Sequence, residues 1–183
     1  DELKADKDVV MEAVKQDGNA LRDASEDLRN DKEVVMTALA MQDMFYFEYA
    51  SDQLRADKEV ALAAVSSYGP SFSELSEVLQ NDKEVAIAAA NNDGNIVKYL
   101  PESLLSDEGI LEAARKQILE SIKESAGRFA STADKWKADK EIALIAVKDS
   151  GRYDTLEYAS EELRADMDVV CLLYTSPSQR DSV

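Results

Sequence analysis

The chain has 183 residues, 45 % of them apolar and 32 % charged, with a formal net charge of −17. So acidic a surface repels phosphate, which excludes nucleic acid and anionic membranes as expected partners. Without histidine and with a single cysteine, the chain has no intramolecular disulfide, no His/Cys zinc site and no Ser–His or Cys–His nucleophile pair.

Carboxylate-only or lysine-based catalysis survives this exclusion, but no enzyme activity, cofactor or metal is expected. No apolar run approaches the roughly 20 residues that span a bilayer. So few cysteines suit a reducing compartment and favour the cytoplasm.

In chain order, the sequence repeats itself. LKADKDVVMEAV starts at Leu3, LRNDKEVVMTAL at Leu28, LRADKEVALAAV at Leu54 and LQNDKEVAIAAA at Leu79. LLSDEGILEAAR at Leu104 is a degenerate copy, WKADKEIALIAV follows at Trp136, and LRADMDVV at Leu163 is cut short. The anchoring residues are Asp6, Asp31, Asp57, Asp82, Asp107, Asp139 and Asp166, at separations of 25, 26, 25, 25, 32 and 27. Such periods mean a stacked array whose units cannot fold singly.

Each aspartate is expected to cap a helix by accepting a first-turn N–H. The acid two places on (Glu33, Glu59, Glu84, Glu141) then lies near the positive end of the helix dipole. Apolar residues follow at +3, +4, +7 and +8 from the aspartate, as in Val34, Val35, Ala38 and Leu39. That is a helical stripe, and apolar residues at +5 widen it.

Glycine at +12 (Gly18, Gly69, Gly94, Gly151) is expected to end the helix in the left-handed conformation. A shorter helix comes next, marked by apolar residues at −10 and −3 from the next aspartate. Serine or proline at −6 (Ser25, Ser51, Ser76, Pro101, Ser160) is expected to end it in a turn. QDGN at Gln16 and NDGN at Asn92 are expected to be helix-end turns, since they lack the alternating oxygens of a calcium loop. Trp136 stands in for the −3 leucine and is expected in the core.

The fold class expected is all-α, an α-solenoid of two-helix repeats of about 25 residues, with six units and a truncated seventh. Residues 1–170 form one array. The long spacing after Asp107 places an insertion near residues 120–126. Seven residues are almost two helical turns, so either a lengthened helix in phase or a surface loop accommodates them.

The pattern L-x-x-D-K-E-V-V-x-x-A-V-x-x-x-G-x-x-L-x-Y-A-S-E-E resembles a repeat family of bacterial and protist proteins classed as a domain of unknown function. The resemblance covers nearly all of residues 1–170 and is weak from Asp107 to Lys135. It implies tandem short helices and carries over no catalytic residue. CLLYTSPSQRD, residues 171–181, resembles one translated frame of a transposon-end sequencing adapter, differing only at Gln179. Residues 171–183 are therefore expected to be a non-native tail, and both ends to be cut.

Two features exceed what the repeat needs. MQDMFYFEYA supplies Met41, Met44, Phe45 and Tyr46, a candidate surface for a protein or peptide partner. Tyr49, Tyr99 and Tyr158 share position −8 in alternate units, a candidate row along one face. The expected function is a protein- or peptide-binding scaffold. The alternative is a regulatory or targeting arm of a larger enzyme or effector. Uncapped ends are also expected to associate end to end.

Overall fold

The computed structural model describes residues 2–41, 47–150 and 153–169. The protein is an all-α repeat solenoid, and no strand occurs among the described residues. The α-helices are α1 (Lys7–Gln16), α2 (Glu26–Arg29), α3 (Lys32–Leu39), α4 (Asp52–Arg55), α5 (Lys58–Ser67) and α6 (Glu77–Gln80). They continue with α7 (Lys83–Asn92), α8 (Glu108–Glu124), α9 (Asp134–Lys137), α10 (Lys140–Ser150) and α11 (Glu161–Arg164).

Long helices alternate with one-turn helices, and a 3₁₀ segment comes between them, as in Gly18–Asp23 and Gly69–Glu74. A full unit therefore holds three helical pieces, where two and a turn were expected. The serine at −6 begins the third piece instead of closing the second. Ser25, Ser51 and Ser160 each accept the backbone N–H three residues on, capping α2, α4 and α11. Ser76 and Ala133 make no such bond, yet α6 and α9 follow them, whereas after Pro101 hydrogen-bonded turns occupy residues 102–106 in place of a helix.

The anchoring aspartates cap the long helices as expected. Asp31 Oδ1 accepts from the N–H groups of Glu33 and Val34 at 3.0 and 3.3 Å, and Asp57 and Asp82 repeat the pattern. Behind each cap, the +3, +4, +7 and +8 side chains form the core: Val34, Val35, Ala38 and Leu39, then Val60, Ala61, Ala64 and Val65. Trp136 is buried at its −3 position, as are Leu28, Leu54, Leu79 and Leu163.

The glycine expectation is corrected. The C-cap of α5 is Tyr68, in extended conformation (φ −145°, ψ 99°), and Gly69 opens the 3₁₀ segment without a left-handed φ. Close packing explains the glycine. A Cβ there would stand 2.9 Å from Asp93 Cβ and 3.0 Å from the Ala89 carbonyl oxygen. Gly18 and Gly94 are likewise buried at the start of 3₁₀ segments, whereas Gly151 lies outside the described residues. Asp17 and Asp93, from QDGN and NDGN, cap those segments by accepting the N–H groups of Asn19 and Asn95.

The chain divides into two compact units, Asp1–Ala114 and Arg115–Val183. In the first, α1 packs on α3, α3 on α5 and α5 on α7, and the 3₁₀ segment Gly69–Glu74 lies against both α5 and α7. In the second, α10 packs on the 3₁₀ segments Ala126–Ser131 and Tyr153–Tyr158, which also meet each other. The boundary falls within α8, whose 17 residues exceed the 10 of α5 or α7 by seven. The tail from Cys171 lies outside the described residues.

Candidate functional site: a polar furrow over the one-turn helices

Two ladders tie successive repeats together. The first uses the lysine that follows each capping aspartate. Lys7 Nζ lies 2.7 Å from Asp31 Oδ2 and 2.8 Å from Glu33 Oε2 in the next repeat. Lys32 bridges Asp57 and Glu59 in the same way, Lys58 bridges Asp82 and Glu84, and Lys140 bridges Asp166 and Asp168. Lys83 reaches Asp107 at 2.8 Å.

Asp31, Asp57, Asp82, Asp107 and Asp166 thus each serve two partners, with Oδ1 on the aspartate's own helix and Oδ2 on the preceding lysine. Oδ1 of Asp57 and Asp166 accepts from that lysine as well. Hydrogen bonds from these lysines hold the Asp31, Asp57 and Asp82 carboxyls below the usual carboxylate range. In the degenerate repeat the residue after Asp107 is Glu108, and Arg115 takes over the bridging role. Its Nε lies 2.7 Å from Asp139 Oδ2 and its Nη2 2.7 Å from Glu141. Burial pushes the Asp139 carboxyl up, yet the Arg115 guanidinium and the backbone donors hold it below its ordinary value. Composition alone misses this ladder, although lysine's recurrence at +1 is its signal.

The second ladder is main-chain. The N–H of the residue at −6 donates to the carbonyl of the residue at −2 one repeat earlier: Ser25 to Lys4 at 2.8 Å, Ser51 to Arg29 at 3.1 Å, Ser76 to Arg55 at 3.2 Å and Ser160 to Lys137 at 3.0 Å. These bonds set the one-turn helices side by side, and in the first compact unit a furrow runs over α2 and α4 to Ser76, the N-cap of α6.

The part between α2 and α4 has a volume of about 560 Å³, with Glu26, Asp27, Arg29, Glu48, Tyr49 and Asp52 among its walls. A second part of about 310 Å³ is lined by Asp52, Arg55, Glu74, Leu75 and Ser76. Asp52 and Arg55 line both parts, so the two adjoin. Glu26 pairs with Arg29 and Asp52 with Arg55 across one helical turn. Asp27, Glu48 and Glu74 have no cationic partner among the described residues.

The residues singled out from sequence are not gathered here. Tyr49 is half-buried, ends the 3₁₀ segment Phe47–Tyr49 and lines the furrow. Tyr99 and Tyr158 are both 47 % exposed and line neither part of it. Tyr99 belongs to the first compact unit and Tyr158 to the second. Between Tyr49 and Tyr99 the same repeat position holds Glu74. Met41 is half-buried just after α3, its N–H donating to the Ala38 carbonyl, while Met44, Phe45 and Tyr46 lie outside the described residues.

No curated protein and no solved structure matches the chain. A family model described as a domain of unknown function, DUF4116, matches residues 6–55, 32–80, 57–105 and 115–164. Each match spans two of the short repeats, and the last begins at Arg115, the residue that replaces lysine in the ladder. Together the matches take in most of the chain, which therefore belongs to the DUF4116 family.

Proposed function

We propose that the array is a non-enzymatic scaffold that binds a protein or peptide partner. The observation that carries this is the furrow over α2, α4 and the N-cap of α6, an open channel with a half-buried tyrosine in its wall and acids left without cations. Tyrosine gives contact area at low entropic cost and is enriched where proteins meet. The carboxylates that recur at the helix starts are committed to caps and lysines, which supports a structural use for them over a catalytic one.

Panning a random peptide library on the immobilised chain tests the proposal. Enrichment of a consensus supports it, and recovery no better than on the bare matrix rejects it. Met41, Met44, Phe45 and Tyr46 are proposed as a further contact surface. Phe45→Ser combined with Tyr46→Ser then weakens capture of the selected peptide, and unchanged capture removes that surface from the proposal.

A further inference from the structure

We infer that the furrow over α2, α4 and the N-cap of α6 takes an extended, polyproline-II-like peptide segment carrying lysine or arginine at every third residue. This rests on the protein-binding proposal above and adds the partner's chemistry.

Charge is the first argument. Once Arg29 and Arg55 have paired with Glu26 and Asp52, the furrow retains Asp27, Glu48 and Glu74, so its walls favour cations.

The second argument is independent of charge. Four buried side-chain polar atoms among the described residues have no hydrogen-bond partner, and three belong to furrow residues: Arg29 Nε, Arg55 Nε and Ser76 Oγ. Buried polar groups are ordinarily paired, and these three atoms have no acceptor within reach. The backbone carbonyls of an extended chain supply acceptors along its whole length. A compact cation would answer the acids and leave these atoms unpaired.

Spacing is the third argument. Glu48 and Glu74 stand in neighbouring repeats, and packed helices lie about 8–10 Å apart. A chain in the extended polyproline-II conformation rises about 3.1 Å per residue with three residues per turn, so side chains three apart share a face and stand about one repeat apart. Basic side chains three apart then meet carboxylates one repeat apart.

Fluorescence anisotropy on the full chain tests this with three synthetic peptides. One has lysine at every third residue, one has the same composition with its lysines contiguous, and one has glutamate in place of lysine. The spaced peptide should bind about tenfold more tightly than its isomer, and the glutamate peptide should not bind. The triple variant Asp27→Asn, Glu48→Gln, Glu74→Gln should lose about tenfold for the spaced peptide, while Glu112→Gln on α8 changes nothing. Equal affinity for the two lysine isomers, or an unaltered triple variant, overturns the inference. The library selection separates the two proposals. A consensus without spaced basic residues overturns only this inference, and no consensus at all overturns both.

Discussion

Lys58 Nζ lies 2.7 Å from Asp82 Oδ2, while Oδ1 of the same carboxylate accepts the N–H groups of Glu84 and Val85 at the start of α7. One aspartate thus starts its own helix and receives the preceding one. Its two roles are separable by mutation. Asp82→Asn keeps a good cap and loses the ion pair, whereas Asp82→Ala loses both, with about 1 kcal/mol from the cap alone. Stability in urea should therefore fall in the order wild type, Asp82→Asn, Asp82→Ala. Lys58→Met, which also gives up the pair with Glu84, should cost at least as much as Asp82→Asn, and the double variant Lys58→Met, Asp82→Asn should fall short of additivity. Additive losses would show that the two side chains do not act as a pair.

Gly69 sits where a Cβ would press on the backbone of the neighbouring repeat. Gly→Ala in an unstrained site stabilises by about 0.4–1 kcal/mol through the unfolded chain. Here the overlap with Ala89 and Asp93 outweighs that, so Gly69→Ala should destabilise by about 1–3 kcal/mol. At Gly127 the nearest atom to an added Cβ is Ser125 Oγ at 3.8 Å, and Gly127→Ala should be neutral or stabilising. Thermal melts of the two variants make the comparison, and equal shifts would refute the packing explanation.

These residues also mark what sequence can and cannot reveal. The caps and the core stripe were legible because each depends on residues within one helix, and Asp31, Val34 and Leu39 keep their spacing in every good copy. The lysine ladder was not, because Lys58 and Asp82 are 24 residues apart and only packing brings them together. Arg115 was harder still. It stands eight places beyond Asp107, yet it is 24 residues before Asp139, the ladder's own spacing. The 3₁₀ segments were legible as the shorter helix but not as 3₁₀, because α- and 3₁₀-turns differ by one hydrogen-bond partner, which leaves little trace in composition. Glycine misled for a different reason. A left-handed turn and a close approach both require a missing Cβ, and the string alone does not separate them. The furrow depends on side chains from three repeats, so no single copy of the motif displays it.

Val9 is 43 % exposed, although the +3 position is fully buried at Val34, Val60, Val85, Ile110 and Ile142. Val9→Ser should change stability by less than about 0.5 kcal/mol, and Val34→Ser should cost about 2–4 kcal/mol. The exposed valine, together with exposed Leu3 six residues before it, also predicts self-association through the first repeat. Sedimentation should show concentration-dependent mass for the wild type and less of it for Val9→Ser. A monomer at all concentrations would reject self-association.

The ladder predicts how stability depends on pH. Asp31, Asp57 and Asp82 have carboxyls held below the usual value, first by hydrogen bonds from Lys7, Lys32 and Lys58. Their contribution is present above the unfolded value of about 3.9 and is lost as pH falls through the lower folded values. Lys7 is pushed up to about 12 by its hydrogen bonds to Asp31 and Glu33. Its contribution is present below about 10.4 and is lost as pH rises through the folded value. With no histidine in the chain, the urea midpoint should be flat from about pH 5 to 9 and fall below about pH 4. Lys58→Met lets the Asp82 carboxyl return towards its ordinary value, so the acid limb should become shallower. A slope near neutrality, or an acid limb unchanged in Lys58→Met, would mean that other groups govern the acid response.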